Sequence, residues 1–465
     1  MNIKIAATVL LWFACMMTGK VVAQTNPSPS AQPERSPTNQ PDQPTIQPVQ
    51  KPVVQPTQKP ATQDSQKKPA NQRKQPPVDE FPPNPLEITE PDPLIPYDYK
   101  ERPLTAQERK EIAAGADRLN ATATAKLQKG DRIGAFADWN RELRFRRLLG
   151  SLPSEVLALG RVGDIAWREN EQPQIRYITQ RLDEILAQTQ KPATEMVASK
   201  PGAGDIKNRN QLLEALGLAY QQVRLPKTAA GIYQQLLAEA RQRNDSLKIE
   251  ATLITLGQLH MSWFNYADAA KAYGELLDRA KARKDVYNTP IYLTQLAYIH
   301  EQAKQPEQAI PYQQQLVEFY QSLNDPKPIP ALKVKIADNY RLIERLDLAE
   351  ANYQLAYQLA QPLLQLAYAG DALKKLGEMY RANNRLPAAV RVYDFLVGVE
   401  QQAYNTYGVM NAYDQLGQVH LLQKEYPRAI AAFQRGLAIA RQLKFREDYF
   451  NTQIQQASQQ EGARN

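Results

Sequence analysis

The chain has three histidines, His260, His300 and His420, and imidazole is both a common metal ligand and a natural proton carrier near neutral pH. Their spacing points away from such chemistry. His300 follows His260 by 40 residues and His420 lies a further 120 along, so all three share one phase of a 40-residue period. Tyrosine fills that phase at Tyr220, Tyr340 and Tyr380. A metal site needs its ligands to converge, whereas a repeating chain displaces equivalent residues along its length, and no carboxylate recurs beside them. The histidines therefore read as packing residues. No His-Glu-x-x-His or Gly-x-Ser-x-Gly motif appears, and no phosphate loop ends in Gly-Lys-Ser/Thr. Carboxylates are spread as on solvated helix faces. Cys15 is the single cysteine, which removes disulfides and cysteine-ligated metals from consideration. Neither an enzyme, a cofactor nor a metal is expected.

The elements that carry these histidines repeat. Small residues recur at Gly217, Gly257, Ala297, Ala337, Gly377 and Gly417, and alanine at Ala229, Ala269, Ala309, Ala349, Ala389 and Ala429. Such self-similarity is the signature of a stacked array and overrides any domain count based on length. Within a unit, Leu416, Val419 and His420 have helical spacing, Lys424 to Pro427 reads as a turn, and Ala429, Ile430, Phe433 and Leu437 form a second apolar stripe. Prolines at 226, 306, 387 and 427 fall near the start of the second helix, where a missing amide proton costs little. Each unit is two antiparallel helices. Glycine inside a helix costs roughly 1 kcal/mol relative to alanine, so its use at one phase implies close backbone approach. A ring covers the crossing at Tyr233, Tyr273, Tyr353, Tyr393 and Phe433, with Tyr312 one place early in its unit.

Leu216-Gly217-Leu218-Ala219-Tyr220, then Ala229, then Tyr233, resembles the tetratricopeptide repeat. The resemblance covers roughly residues 107–457, strong for six units and weak for two upstream ones marked by Ala123, Ala135 and Trp139 and by Gly163, Trp167 and Ile175. The usual repeat has about 34 residues, and the six additional ones here are expected between the second helix and the next first helix. Long-repeat members such as kinesin light chains are similar. The expected fold is all-α, a solenoid of about eight hairpins behind a disordered Pro/Gln-rich linker. The expected division is a signal peptide at 1–23, linker at 24–103, two degenerate repeats at 105–188, an inserted loop at 189–208, six repeats at 209–440, and a capping helix and tail at 441–465.

Residues 1–23 read as an export signal, with Lys4, an apolar run from Ile5 to Met17, and Val21-Val22-Ala23 as a cleavage site. A lipid on Cys15 or an uncleaved anchor are the alternatives. Together with the spacer and the glutamine-rich style, this resembles exported bacterial repeat proteins, cyanobacterial ones among them. The address expected is the periplasm, a lumen or the exterior. Residues 24–103 hold twenty of the 34 prolines and too few large apolar side chains to offset ordering entropy. Residues 79–102 then carry seven acids against Lys100 and Arg102, whereas 103–465 is net +7. That acidic stretch is expected to pack on the first helix, with docking into the groove of the basic array as the alternative.

The resemblance implies that first-helix side chains line a concave groove. Carried over by phase, these are Glu214, Leu218, Ile254, Gln258, Met261, Ile291, Tyr298, Asp338, Arg341, Lys374, Arg381 and Asp414. The chaperone-binding members' clamp for a terminal carboxylate is not reproduced at those phases. The middle of the groove, apolar with scattered polar groups, suits a peptide or an amphipathic helix laid along it. A second surface is basic: Arg141, Arg144, Arg146 and Arg147, suited to anionic lipid or acidic protein. Nucleic acid is not expected for an exported chain. The function expected is non-catalytic protein binding outside the cytoplasm. The alternative is an envelope protein holding peptidoglycan or anionic lipid through cell-wall or peripheral membrane contact. Oligomeric state is not readable from the sequence.

Overall fold

The computed structural model describes residues 84–89, 91–189 and 209–463, all within one compact unit, Glu80–Asn465. The expected signal, the inserted loop and most of the linker lie outside the described residues. Every regular element among the described residues is helical: α1 Ala106–Gln128, α2 Arg132–Leu149, α3 Leu152–Arg168, α4 Gln172–Thr189, α5 Arg209–Gln222, α6 Pro226–Gln242, α7 Ser246–Ser262, α8 Tyr266–Ala282, α9 Asn288–Gln302, α10 Pro306–Ser322, α11 Ile329–Leu342, α12 Leu346–Ala360, α13 Leu366–Ala382, α14 Leu386–Gln402, α15 Thr406–Leu422, α16 Tyr426–Leu443 and α17 Glu447–Gly462. Successive pairs from α1 to α16 are eight antiparallel hairpins. The last described helix takes a first-helix place, its buried Ala457 standing at the glycine/alanine phase. None of the described helices is long and apolar enough to cross a membrane.

The array opens at Thr105, whose hydroxyl accepts from the Glu108 amide at 3.3 Å while the Glu108 carboxylate accepts from the Thr105 amide at 2.7 Å. This reciprocal cap satisfies two of the donors that a helix start leaves open. The two small-residue phases do the work expected of them. A Cβ on Gly217, Gly257 or Gly377 would meet the ring of Tyr233, Tyr273 or Tyr393 at 2.8, 2.6 and 2.5 Å, and Ala229, Ala269, Ala309, Ala349, Ala389 and Ala429 are fully buried. Each first helix with glycine at this phase thus bares a patch of backbone for a ring from its own second helix.

The connections correct one expectation. Left-handed backbone occurs at residue 130, 150 and 170, then at Arg224, Asn244, Phe264 and every twentieth residue to Lys444. Turns within hairpins are three residues each, whereas the described connections between hairpins run from two residues to six, the longest being 323–328. From residue 224 onward, the amide after each left-handed residue of the twenty-residue series reaches the carbonyl five residues back, as in Leu225 to Tyr220 at 2.8 Å and Asp245 to Ala240 at 3.0 Å. The described connections between hairpins exceed those within them by at most three residues, so most of the extra length lies in the helices.

Gly130 and Gly150 fill the first two left-handed positions, but Phe264, Leu364 and Tyr404 stand there at φ 65°, 55° and 53°, with 75%, 81% and 94% of their surface exposed. A side chain in that region costs roughly 1–2 kcal/mol, and these three bury too little to recover it. Phe264→Gly, Leu364→Gly and Tyr404→Gly should each stabilise the array by about 0.5–1 kcal/mol, allowing for glycine's freer unfolded state. A shift of the urea midpoint to lower concentration in all three would refute this.

Candidate binding face

Side-chain contacts set the first helices edge to edge. Lys248 of α7 pairs with Glu214 of α5. Lys375 of α13 reaches Asp338 of α11 at 2.7 Å, and Arg381 donates to Gln415 of α15 at 2.8 Å. Arg446, at the head of α17, holds Asp414 of α15 at 3.0 Å. Outward positions on these helices therefore form one continuous face. Asparagine 339 of α11 donates to Glu301 of α9 at 3.4 Å, extending it through the middle.

The residues expected to line this face are placed as follows. Leu218, Ile291 and Tyr298 are 41%, 51% and 38% exposed. Arg341 and Lys374 are exposed, and Glu214, Ile254, Gln258, Met261, Asp338 and Arg381 are half-buried. Asp414 is the correction. It is buried, 5% exposed, its two oxygens taken by the Tyr449 hydroxyl at 2.8 Å and by Arg446. Arg446 and Tyr449, at the head of α17, cover it, and Val334 at the same phase is likewise buried in mid-array. Two residues that phase reasoning missed extend the face: Leu247 and Tyr287, 84% and 82% exposed. Their signal was helical spacing, since Leu247 precedes Ile254 by seven residues and Tyr287 precedes Ile291 by four.

The face changes chemistry along its length. From α5 to α9 it presents Leu218, Leu247, Ile254, Met261, Tyr287, Ile291 and Tyr298. From α11 to α13 it presents Asp338, Arg341, Lys374 and Arg381. In that second half Asp338 also accepts from the Tyr353 hydroxyl at 2.6 Å. Burial opposes charge on Lys375, yet Asp338 and Asp371 together hold its ammonium above the usual range. At the apolar end, burial and the Glu214 charge push the Tyr233 phenol up to about 12, so it stays neutral and accepts from Gln221 at 2.9 Å.

The histidines have local partners. In each case Nδ1 meets the side chain five residues on, at the start of the second helix: His260 with Asn265 at 3.2 Å, His300 with Gln305 at 3.0 Å and His420 with Glu425 at 2.9 Å. Burial holds the His260 pKa below its ordinary value. Their shared role is to brace the turn inside the hairpin.

The expected basic patch is likewise corrected. Arg141 makes a two-pronged pair with Asp92, at 2.6 and 2.8 Å. Arg144 donates to the Pro85 carbonyl at 3.0 Å, and Arg146 to Asp117 at 2.5 Å and Glu142 at 3.5 Å. Arg147 alone of the four is exposed. What occupies the patch is the chain itself. Leu86 is buried in the core of the first hairpins, and Leu94 and Ile95 pack with Ile112, Ala116 and Phe145. Burial of Asp92 is outweighed by Arg141 and the Leu94 amide, which together hold its carboxyl below the usual range. Residues 84–102, apart from Glu90, thus lie on both helices of the first hairpin, away from the first-helix face.

Comparison with known proteins agrees with this geometry. Residues 212–247 and 368–442 each match the family model described as tetratricopeptide repeat. No curated protein matches the chain. Among solved structures it is similar to BtubC (BKLC) from P. vanneervenii, at 16% identity over 47% of this chain and 92% of that one, TM-score 0.34. It is also similar to a putative kinesin light chain of Podosopora anserina with nearly identical TPR-like repeats, at 13% identity, 50% and 96% coverage and TM-score 0.29. A third is a Rap protein complexed with Competence and Sporulation Factor, at 11% identity, 77% and 100% coverage and TM-score 0.29. The matched segments fall on α5–α7 and α13–α16, and the 20-residue step carries the same hairpin through the units between them. The chain thus carries tetratricopeptide repeats.

Proposed function

We propose that the protein is a non-catalytic adaptor acting outside the cytoplasm, and that it grips a polypeptide with two unlike parts. The reading rests on one observation: a continuous first-helix face that is apolar from α5 to α9 and charged from α11 to α13. The apolar stretch fits the non-polar stripe of an amphipathic helix, with anchors at helical spacing. The charged stretch fits a segment carrying both signs, since Asp338 stands beside the bases Arg341, Lys374 and Arg381. Action outside the cytoplasm rests on the export signal read at residues 1–23.

A photoreactive amino acid placed at Ile291 in the full chain, expressed in its native host, should capture a polypeptide. The same group at Arg391, exposed on α14, should capture much less. Ile254→Asp with Tyr298→Ala should then weaken binding of the captured partner by at least about thirtyfold, the equivalent of about 2 kcal/mol for a central apolar anchor. Equal capture at both positions would defeat the assignment of the face. Retention on isolated cell-wall sacculi or on anionic vesicles, with no polypeptide captured, would favour the envelope-binding alternative. Recovery of the mature chain in the cytoplasmic fraction would defeat the assigned location.

A further inference from the structure

The array is built from near-identical hairpins, and one of its junctions departs from the others at several places together. At the phase where Tyr233, Tyr273, Tyr353, Tyr393 and Phe433 insert a ring, α10 carries Gln313. At the phase of Leu259, Ile299, Met379 and Val419, α11 carries Asn339. Where Leu213, Leu253, Leu293 and Leu373 are buried, α11 carries Lys333. Helix α10 also contains an internal proline, Pro311. Every one of these departures flanks the same interface, between α10 and α11.

The packing follows the substitutions. Buried apolar side chains form one cluster reaching from Leu86 to Leu316 and another from Val334 to Ala432. At the junction itself a smaller separate cluster joins Ile310 and Val317 of α10 to Ile329 and Ile336 of α11. It is linked to the first cluster only through the partly buried Tyr320 and Leu332, and to the second through Tyr340. Gln313 and Asn339, 1% and 4% exposed, bond to each other at 3.0 Å, and Gln313 donates to Glu301 at 2.7 Å. Lys333 is half-buried, its ammonium pKa lowered by desolvation.

An apolar interface resists opening in proportion to the area it would expose to water. A hydrogen-bonded pair resists far less, because water takes over the bonds it releases. In a linear array each interface couples only neighbours, so one soft interface divides the whole into two arms. We infer that the α10–α11 junction is a built-in hinge between two stiff arms, α1–α10 and α11–α17. It falls where the binding face turns from apolar to charged, so bending there changes the angle between the two halves of the face. The inference stands on packing and does not depend on the proposed partner.

Residues 227, 267, 307 and 347 share one repeat phase and are all exposed. In a full-length Cys15→Ser background, nitroxide pairs from Lys227→Cys with Glu307→Cys lie two hairpins apart within the first arm. Pairs from Ala267→Cys with Asp347→Cys lie two hairpins apart across the junction. Pulsed dipolar spectroscopy should give a distance distribution at least twice as wide across the junction as within the arm. Gln313→Tyr with Asn339→Met, which restores the sister residues, should narrow the cross-junction distribution to the within-arm width. Equal widths in the unrepaired protein overturn the hinge. A wide distribution that survives repair overturns the polar pair as its cause. If the repaired chain does not fold, the comparison in the unrepaired protein decides.

Discussion

Tyr393→Ala is expected to destabilise the second arm by about 3–5 kcal/mol, the range for deleting a buried aromatic side chain, whereas Tyr393→Phe is expected to stabilise it. The ring is fully buried and covers Gly377, where a Cβ would come within 2.5 Å. Alanine leaves a void between α13 and α14 that glycine cannot fill from the other side. The hydroxyl is a separate matter. It is buried with no hydrogen-bond partner among the described residues, and an unsatisfied polar group of that kind costs about 1–3 kcal/mol. Phenylalanine removes that cost and keeps the ring. Tyr353, one repeat earlier, is the control: its hydroxyl donates to Asp338 at 2.6 Å. Tyr353→Phe should therefore lose about 1.5–3 kcal/mol, the worth of a hydrogen bond to a charged group. Amide exchange of α11–α16 reads all three. If the two phenylalanine variants move in the same direction, the hydroxyl argument is wrong.

Glu155→Ala should cost about 3–5 kcal/mol, because it leaves a guanidinium buried without its main counter-charge. Glu155 and Arg181 have side-chain exposures of 3% and 12% and meet at 2.6 Å across the second hairpin, with a further contact at 3.2 Å. The desolvation of two charges offsets most of what their attraction contributes, so removing both should behave differently. Glu155→Leu with Arg181→Met is expected to lie within about 1 kcal/mol of the unaltered chain or above it. Urea titration of the single and double variants closes the cycle. A double variant as damaged as the single one would mean that the pair stabilises the hairpin outright.

Much of this architecture was legible because the period repeats each signal many times. Glycine at one phase and alanine at another forecast the bare backbone patch and the ring over it, and Gly377 with Tyr393 shows the two in contact. The histidine phase forecast packing, and the imidazoles bracing their turns supply its detail. Three things escaped. The length of the connections was hidden, since non-glycine residues such as Phe264 and Tyr404 occupy left-handed positions that sequence normally marks with glycine. The partners of Arg141 and Arg144 lie 49 and 59 residues away in an irregular segment, where no periodicity relates one residue to another. Asp414 kept its phase but not the expected exposure, because that phase is not outward in every unit: Val334 there is buried too. The hinge left a trace, the ring at Tyr312 standing one place early, which becomes intelligible only when Gln313 is seen bonded to Asn339.

The regular twenty-residue step has an evolutionary consequence. Because a left-handed turn residue recurs at every twentieth position, a gene segment encoding two helices and two turns can be lost or duplicated at any boundary from residue 224 to residue 444 and rejoin without a frame of its own to repair. Loss of a single helix and turn would also rejoin smoothly, yet it would exchange the roles of all later helices and set rings against rings. Changes in copy number by whole pairs are thus the inexpensive route by which such a chain lengthens or shortens its reach.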